Sequence, residues 1–457
     1  MEKLFGTDGI RGVAGSFPLD ENTIGTIGRS LSTRMAAKLG RPPRLVTGRD
    51  TRESGEWIER AFHSGAAASG AVCRSAGVIT TPGVAYLTRE CGFDAGIVVS
   101  ASHNPFQDNG IKIFAPSGKK LEESAERLIE QDICEAGRAS SGYASVLIDR
   151  SDEEGFQLSY LDYLAGQFPT LSLQGLKIVV DCANGAVGGF APALLARLGA
   201  EVISINDQPN GRNINENCGS LHLDGLRAKV IGDKADFGVG FDGDADRSLF
   251  VDERGDLVDG DATLWILARF FNEAGQLVDR TVVATVMSNI GLELALGSKG
   301  LKLTRTSVGD KYVLDELLRS GASLGGEQSG HIIIPAKSLV GDGMLTMLFV
   351  LEMMSEKKMS LSELATGFTR YPQVLVNVKV SEKLPFESIP AIADASRQIE
   401  SELDGGGRLL LRYSGTENLA RIMIEGKDQS SIDDQANRLA EVIRESLGQD
   451  RFNKNGL

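Results

Sequence analysis

The chain of 457 residues is 42% hydrophobic and 24% charged, which is typical of a globular protein with three or four domains. Its net charge of −14 argues against general binding to nucleic acids or anionic membranes, and no apolar run reaches the roughly 20 residues that span a bilayer. The five cysteines are scattered, without a C-x-x-C pair, and the N-terminal run MEKLFGTDGIRG lacks the apolar centre of a signal peptide. We therefore expect a cytoplasmic protein with reduced thiols.

Three stretches of the chain repeat one pattern. Each consists of an apolar strand, a Gly- or Asn-rich turn, a helix and a second strand, and the first strands begin near Arg44, Lys177 and Thr281. This order is typical of a βαβ unit. Copies more than 100 residues apart indicate related domains rather than a solenoid.

The C-terminal part has a different pattern. Strand-like runs (QVLVNVKV and RLLLRYSGTENLARIMIEG) alternate with helices predicted from Phe386 to about Leu403 and from Ser431 to Leu447. The chain is therefore predicted to form three similar α/β domains with mixed sheets and a small C-terminal α+β domain. Polar stretches place the predicted domains at residues 1–152, 153–254, 255–371 and 372–457.

The first loop with candidate chemistry is SASHNP, residues 100–105, which follows the apolar run AGIVV. A strand that ends in small hydroxyl residues before Asn-Pro places a serine on an exposed turn. Ser102 is therefore a candidate carrier of a phosphoryl group, although the hexapeptide alone is equally typical of an ordinary turn. No G-x-S-x-G surrounds it, which argues against a Ser-His-Asp hydrolase.

The second loop, DGDADR, places Asp242, Asp244 and Asp246 directly after an apolar strand. Their repulsion, several kcal/mol at an effective dielectric constant of about 20, would be relieved by a hard divalent cation such as Mg²⁺. A G-x-G-x-x-G match at residues 238–243 precedes carboxylates where a pyrophosphate would lie. An EF-hand match fails because Arg247 occupies the position that needs glycine. The loop therefore predicts a metal site with oxygen ligands.

The third loop, GGEQSGH, places Glu327, Gln328, Ser329 and His331 on a Gly-rich turn. Carboxylate, amide, hydroxyl and imidazole groups together are suited to binding hydroxyl and amine groups. Taken alone, the loop is more typical of a polar hairpin without a specific role.

The fourth loop, RYSGTEN, is followed by Arg421 and combines backbone N–H groups, two hydroxyls and two guanidinium groups. These are the donors of a phosphate-binding loop, and a solvated turn is the simpler alternative. A Gly-rich loop near the N-terminus adds Arg11. Arg52, in GRDTR, is more typical of a structural ion pair than of a catalytic group.

In this order and at these spacings, SASHNP, DGDADR, GGEQSGH and RYSGTEN resemble the loops of the α-D-phosphohexomutase family. The resemblance runs from LFGTDGIRG at residues 4–12 to Arg421. It implies four domains around a central cleft, one Mg²⁺ per chain and a small sugar phosphate as substrate, with no nucleic acid or membrane as partner. A homodimer is also what the resemblance suggests.

The resemblance implies a role for each matching residue. Ser102 would be the phosphoserine, and its phosphate would hold Mg²⁺ together with the three aspartates of DGDADR. Arg247 would offset charge on the transferring group, and Arg11 is a further candidate catalytic residue. His103 and Lys112 are candidates for general acid–base catalysis, for which Lys112 needs a depressed pKa. The predicted substrate-binding residues are Lys311, Glu327, Gln328, Ser329, His331, Arg412, Ser414, Gly415, Thr416, Asn418 and Arg421.

Within the family, Gln328 and the run VGDKY at residues 308–312 point to the branch that acts on glucosamine phosphates. The implied reaction interconverts glucosamine 6-phosphate and glucosamine 1-phosphate through glucosamine 1,6-bisphosphate, which would also prime the enzyme. Two residues depart from the branch pattern: Lys311 replaces an arginine and so lacks its planar fork, and Asn418 replaces a proline. A mutase for neutral hexose phosphates, a non-catalytic sugar-phosphate sensor and a metal-dependent phosphatase stay open as alternatives.

Overall fold

The computed structural model of the chain describes residues 3–137, 142–414 and 417–448, and four β-sheets lie within them. The described chain divides into two compact units. The first contains the residues up to Ser288 and from Gly300 to Thr366, and the second contains Asn289–Lys299 and the residues from Gly367 onward. Among the described residues, no helix combines the length and apolar character needed to cross a membrane.

The N-terminal domain is built on a six-stranded mixed sheet. Its elements are, in chain order, β1 (Phe5–Gly6), β2 (Gly9–Val13), α1 (Glu21–Leu39), β3 (Arg44–Arg49), α2 (Gly55–Ala67), β4 (Val72–Val78), α3 (Thr81–Glu90), β5 (Ala95–Val99), β6 (Asp108–Phe114) and α4 (Glu123–Ala136). The strand order is β1-β2-β6-β5-β3-β4, and β3 runs parallel to both β4 and β5. The core of this domain lies between the sheet and α1, α2 and α4, and includes Ile27, Phe62, Ile97, Ile111 and Ile129.

The second domain has a five-stranded sheet. Its elements are α5 (Glu153–Gly166), β7 (Lys177–Asp181), α6 (Ala191–Arg197), β8 (Glu201–Ile205), α7 (Asp224–Asp233), β9 (Phe237–Phe241), β10 (Ser248–Asp252) and β11 (Leu257–Val258). The strand order is β11-β10-β9-β7-β8, and β7 is parallel to β8 and β9.

The third domain has a four-stranded sheet. These elements are α8 (Gly260–Glu273), β12 (Thr281–Thr285), α9 (Ile290–Ser298), β13 (Lys302–Thr306), α10 (Asp310–Ser320), β14 (Gly325–Gly326), β15 (Ile332–Ile333), α11 (Gly343–Lys357) and α12 (Leu361–Ala365). Of these, α9 belongs to the second compact unit.

The three domains share one strand order, which reads β4-β3-β5-β6, β8-β7-β9-β10 and β13-β12-β14-β15. In each case a central strand has two parallel neighbours, and one neighbour pairs with an antiparallel strand that follows it in the chain. The predicted α/β fold class, with three similar domains and mixed sheets, is confirmed. The loops with Ser102, the three aspartates and Glu327 occupy the same connection in the three domains, from β5 to β6, from β9 to β10 and from β14 to β15.

The second unit contains the predicted α+β domain. Its elements besides α9 are β16 (Gln373–Lys379), α13 (Pro390–Leu403), β17 (Arg408–Tyr413), β18 (Leu419–Glu425) and α14 (Gln429–Leu447). The antiparallel sheet β16-β18-β17 packs against α13 and α14 through Ile392, Ile422 and Ile443. The N-terminus of α9 is held by Glu425, whose Oε2 accepts a hydrogen bond of 3.0 Å from the N–H of Ile290.

One helix prediction in this domain needs correction. The helix expected from Phe386 is a single 3₁₀ turn at Phe386–Ser388, and α13 begins only at Pro390. Proline at the first helical position has a suitable φ angle and lacks only an N–H that would have no partner within the helix.

We predict that Gly65→Ala destabilises the first domain, because α1 and α2 pack backbone to backbone at this point. A Cβ on Gly65 would overlap the backbone of Gly25. The expected loss in the free energy of unfolding is about 1–3 kcal/mol, despite the better helix propensity of alanine.

Urea denaturation followed by circular dichroism measures this loss, with Gly155→Ala as the control. Gly155 lies exposed in α5, and a Cβ there would meet no atom within 4 Å. The control is therefore expected to gain about 0.5–1 kcal/mol. Equal responses of the two variants would contradict the close packing.

Candidate functional site

Ser102 sits on the loop after β5 in a left-handed backbone conformation, with φ of 53°. This conformation is uncommon for residues other than glycine, asparagine and aspartate and costs about 1–3 kcal/mol, so its surroundings must hold it. The side chain donates a hydrogen bond of 2.6 Å from Oγ to Asp242 Oδ2, and the N–H donates to Ser100 Oγ at 2.9 Å. The backbone therefore points the serine hydroxyl at the aspartate loop of the second domain.

Arg52 holds the serine loop in this conformation. Its guanidinium donates to the carbonyl oxygens of Ser102, Asn104 and Pro105 at 2.9, 2.9 and 2.6 Å. The same group pairs with Asp50 at 2.9 Å, and both side chains are fully buried. These contacts support the prediction from the sequence that Arg52 forms a structural ion pair.

Asp242, Asp244 and Asp246 lie in the connection from β9 to β10, and their side chains are almost completely buried. One oxygen atom from each lies within 4.8 Å of the others. Within the described chain, Oδ1 of Asp244 and Oδ1 of Asp246 have no hydrogen-bond partner. Unpartnered buried carboxylate oxygens are costly, and a set of oxygen ligands suits a hard cation such as Mg²⁺, so these residues fit a bound divalent metal.

The pKa values of the aspartates reflect this crowding. Burial raises the pKa of Asp242 well above its ordinary value, and the carboxylates of Asp246 and Asp244 raise it further. Burial acts in the same direction on Asp246, but the cations Lys112 and His331 outweigh it and hold the pKa of Asp246 well below its ordinary value. Nearby cations therefore outweigh burial at Asp246 but not at Asp242.

Lys112, on β6, supplies most of that positive charge. Its Nζ lies 2.8 Å from Asp244, 3.2 Å from Asp246 and 3.0 Å from Asp8. Burial alone would lower the pKa of Lys112, but the carboxylates of Asp244, Asp8 and Asp246 raise it well above its ordinary value. The depressed pKa that acid–base catalysis requires of Lys112 is therefore not found, and the side chain acts here as a fixed cation.

The pKa of His103 is shifted in the opposite direction from that of Lys112. Burial and the nearby charges of Arg247 and Arg11 lower its pKa to about 4, so its imidazole is neutral near pH 7. Its Nδ1 accepts a hydrogen bond of 3.0 Å from Arg247 and lies 3.3 Å from Ser102 Oγ. A guanidinium only donates hydrogen bonds, so Nδ1 carries the lone pair and Nε2 the proton.

A cavity of about 470 Å³ opens beside these groups. Among its lining residues are Arg11, His103, Arg247, Glu327 and His331, so the structure brings these five predicted residues together. Arg247 has a raised pKa because the carboxylates of Asp246 and Asp242 outweigh the effect of burial. Fixed cations at a cavity wall are suited to binding an anionic group.

Three other predicted residues of the third domain, Lys311, Gln328 and Ser329, are not among the residues that line this cavity. Gln328 donates from Nε2 to Asp259 at 3.5 Å, which is a long contact, and Ser329 is half-buried in the same connection. Lys311 lies at the start of α10, and its charge adds to the effect of Lys3, which is the main cause of the lowered pKa of Glu123. Glu327 accepts a hydrogen bond from the N–H of Gly309 at 3.2 Å.

The predicted phosphate-binding loop lies in the second unit. Arg412 on β17 and Arg421 on β18 are direct cross-strand partners, and burial together with Arg421 lowers the pKa of Arg412. Two like charges in this position repel each other, and an anion would relieve the repulsion. Ser414 is buried and Asn418 exposed, while the predicted residues Gly415 and Thr416 lie outside the described residues.

Several contacts of the site involve residues that the sequence motifs did not single out. Asn215 donates from Nδ2 to the carbonyl oxygen of Ser102 at 2.9 Å. Thr81 donates from Oγ1 to Asp244 at 2.5 Å, and Lys120 bridges Asp8 and Asp310 at 2.5 Å each. Asn215 belongs to an asparagine-rich run that reads as a turn, but no local signal gives its partner.

Family models match along nearly the whole chain. The α/β/α domains I, II and III of phosphoglucomutase/phosphomannomutase match residues 2–139, 159–255 and 259–371, and the C-terminal domain matches residues 375–442. The chain belongs to the phosphoglucomutase/phosphomannomutase family. The exact residues at which the four predicted domains begin and end stay a prediction.

Relatives within the phosphoglucomutase/phosphomannomutase family are similar over their full length. Phosphoglucosamine mutase from Solibacter usitatus is 49% identical over 446 residues, which is 98% of this chain and 99% of that protein. Phosphoglucosamine mutase from Caldicellulosiruptor saccharolyticus is 46% identical, covering 98% of this chain and all of that protein.

Solved structures show the same fold at low sequence identity. A phosphoglucomutase/phosphomannomutase family protein from Burkholderia thailandensis has a TM-score of 0.77 at 23% identity, covering 99% of this chain and 98% of that one. N-acetylphosphoglucosamine mutase from Aspergillus fumigatus, in complex with GlcNAc-6P and magnesium, has a TM-score of 0.66 at 22% identity, covering 97% and 96%.

We predict that Arg52→Met lowers the free energy of unfolding by about 3–5 kcal/mol, because Asp50 would be left buried without its cation. Urea denaturation is the measurement. Arg60→Met is the control, since Arg60 and Glu56 form an exposed pair on α2, with 43% and 48% of the side chains exposed, and such pairs contribute at most about 1 kcal/mol. A small effect at Arg52 would show that the serine loop keeps its conformation without this anchor.

We also predict that Asp242→Asn removes metal-dependent stabilisation without harming the metal-free protein. Mg²⁺ at about 100 times its Kd is expected to stabilise the wild type by about 2.7 kcal/mol. The variant should lack most of this gain, while its metal-free unfolding temperature stays at or above the wild-type value because repulsion in the triad falls.

Thermal unfolding of chelator-treated protein, with and without Mg²⁺, measures both quantities. Asp181→Asn is the control, because Asp181 is a buried aspartate of the same domain outside the triad. A Mg²⁺ effect that is equal in wild type and Asp242→Asn would contradict metal binding by Asp242.

Proposed function

We propose that this chain is a phosphoglucosamine mutase, an intramolecular phosphotransferase that interconverts glucosamine 6-phosphate and glucosamine 1-phosphate. The observation that supports the proposal is the hydrogen bond of 2.6 Å from Ser102 Oγ to Asp242, because the Ser102 hydroxyl is thereby in contact with a buried carboxylate triad. Full-length relatives with 49% and 45% identity, which are phosphoglucosamine mutases, support the amino sugar as substrate.

The reaction consists of two phosphoryl transfers. In the first, the bond from phosphorus to Ser102 Oγ breaks and a bond to sugar O1 forms, giving glucosamine 1,6-bisphosphate; O1 loses its proton and Oγ gains one. In the second, the bond from phosphorus to sugar O6 breaks and the phosphoryl group returns to Ser102; Oγ loses its proton and O6 gains one. Transfers of this kind depend mainly on positioning and on neutralising negative charge, which the fixed cations Arg11 and Arg247 beside the cavity are placed to do.

Ser102 and the three aspartates Asp242, Asp244 and Asp246 would hold one Mg²⁺. When bound, this ion would offset charge on the oxygens of the transferring phosphoryl group. Of the two acid–base candidates, His103 is the better supported, because it is neutral and lies 3.3 Å from Ser102 Oγ. Lys112 would instead orient the carboxylates.

Glu327 and His331, at the cavity wall, would bind the sugar, with Gln328, Ser329 and Lys311 close by on the same domain. The pair Arg412 and Arg421, with Ser414, Gly415, Thr416 and Asn418, would bind the phosphate that is not reacting. Glucosamine 1,6-bisphosphate would prime the enzyme by phosphorylating Ser102. Five free cysteines fit a reducing cytoplasm, and a homodimer rests on the family resemblance alone.

The test is the intact mass of the protein before and after incubation with glucosamine 1,6-bisphosphate. The wild type is expected to gain roughly 80 Da, the mass of one phosphoryl group, and Ser102→Ala is expected to gain nothing. Ser117→Ala, which changes an exposed serine of the same domain, should behave as the wild type. If the wild type gains no mass, the proposal that Ser102 carries a phosphoryl group is wrong.

Steady-state kinetics then test the substrate. Glucosamine 6-phosphate is expected to have a kcat/KM at least about tenfold higher than glucose 6-phosphate, a difference near 1.4 kcal/mol in transition-state binding. A preference for glucose 6-phosphate would move the assignment to neutral hexose phosphates. Steady release of inorganic phosphate would indicate a phosphatase, and phosphoserine that never exchanges with added sugar phosphate would indicate a sensor.

A further inference from the structure

The two carboxylate oxygens of Asp244 differ in their hydrogen-bond partners. Oδ2 accepts hydrogen bonds from Thr81 Oγ1 at 2.5 Å and from Lys112 Nζ at 2.8 Å. Oδ1 has no hydrogen-bond partner within the part of the chain that the structure describes, and the whole residue is inaccessible to solvent. One oxygen is therefore saturated by protein donors, and the other remains open to a ligand.

The position of Thr81 is fixed by the start of α3. Thr81 is the first residue of α3, and the preceding N-cap residue Thr80 accepts a hydrogen bond of 3.1 Å from the N–H of Gly83. The N–H of Thr81 donates to the carbonyl oxygen of Asp244 at 2.9 Å, so Thr81 holds both the backbone and the side chain of this aspartate. Two hydrogen bonds between the same two residues restrict rotation of the carboxylate.

A second helix holds the neighbouring residue. The N–H of Gly343, at the start of α11, donates to the carbonyl oxygen of Ala245 at 3.1 Å. Ala245 has a left-handed backbone with φ of 55°, which needs such support. The aspartate loop of the second domain is thus held between the beginnings of a helix of the first domain and a helix of the third.

We propose that Thr81 is a positioning residue for the metal site: its hydroxyl saturates Oδ2 of Asp244 and so directs Oδ1 toward the bound divalent cation. The proposal rests on the proposed function, because that function assigns Asp244 as a ligand. Partners that orient metal ligands in this way commonly contribute about 10–100-fold to metal affinity. Thr81 touches neither the sugar nor the transferring phosphoryl group in this assignment, so its effect must pass through Asp244.

The test measures Mg²⁺ affinity of the unphosphorylated full chain by isothermal titration calorimetry. Thr81→Val keeps the volume and removes the hydroxyl, and it is expected to weaken Mg²⁺ binding about 10–100-fold. Thr81→Ser keeps the hydroxyl and should bind within about threefold of the wild type, as a side chain that donates the same hydrogen bond would. Thr88→Val is the matched control, since Thr88 is a buried threonine of α3 whose hydroxyl donates to the carbonyl oxygen of Val84.

A second measurement separates positioning from general damage to the fold. The rate of Ser102 phosphorylation by glucosamine 1,6-bisphosphate should fall in Thr81→Val at limiting Mg²⁺ and recover at saturating Mg²⁺. A structural defect would not recover in this way. If Thr81→Val does not fold, Thr81→Ala carries the same expectation.

The outcomes distinguish a failure of the role of Thr81 from a failure of the proposed function. Wild-type Mg²⁺ affinity in folded Thr81→Val would overturn the role of Thr81 and leave the proposed function intact. A wild-type protein that binds no Mg²⁺ either before or after phosphorylation of Ser102 would overturn the metal assignment itself. A loss in Thr88→Val as large as in Thr81→Val would also overturn the proposal, because it would show that α3 responds to any lost hydroxyl.

Discussion

Three carboxylates buried in one short loop dominate the physics of this protein. One oxygen from each of Asp242, Asp244 and Asp246 lies within 4.8 Å of the others, and the three side chains are almost completely buried. Charges this close repel each other by several kcal/mol even at an effective dielectric constant of about 20. The chain offsets the repulsion with cations from different elements, Lys112 on β6 and Arg247 on the loop itself. Domains one and two therefore meet around a single cluster of charge.

The repeated fold explains how separate loops reach that cluster. In each of the three α/β domains, the loop begins at the end of a strand that has a parallel neighbour. It leads into the antiparallel strand beside that strand. Ligands of open α/β sheets bind at the carboxyl ends of parallel strands, where such loops emerge. The same connection therefore carries different side chains in the three domains. It carries a serine in the first domain, carboxylates in the second and a glutamate with a histidine in the third.

The sequence was informative about features that are local and uninformative about contacts between distant segments. Repeated strand–turn–helix patterns predicted the fold class, and the aspartate loop predicted a metal site, because each signal lies within a few residues. Thr81 and Asp244 are 163 residues apart, and Asn215 and Ser102 are 113 apart, so no motif connects them. The charge state of Lys112 was hidden for the same reason, since it depends on Asp8 and Asp244 from other segments.

The position of Lys112 also limits which group can move a proton. Its ammonium contacts Asp8, Asp244 and Asp246, and losing its proton would leave the two buried carboxylates, Asp244 and Asp246, without their nearest cation. A proton carrier must be a group whose charge the cluster does not need. His103 meets this condition, because it is already neutral and lies at the cavity wall beside Ser102. In the mechanism that we propose, proton transfer and charge compensation therefore belong to different side chains, with His103 in the first role and Lys112 in the second.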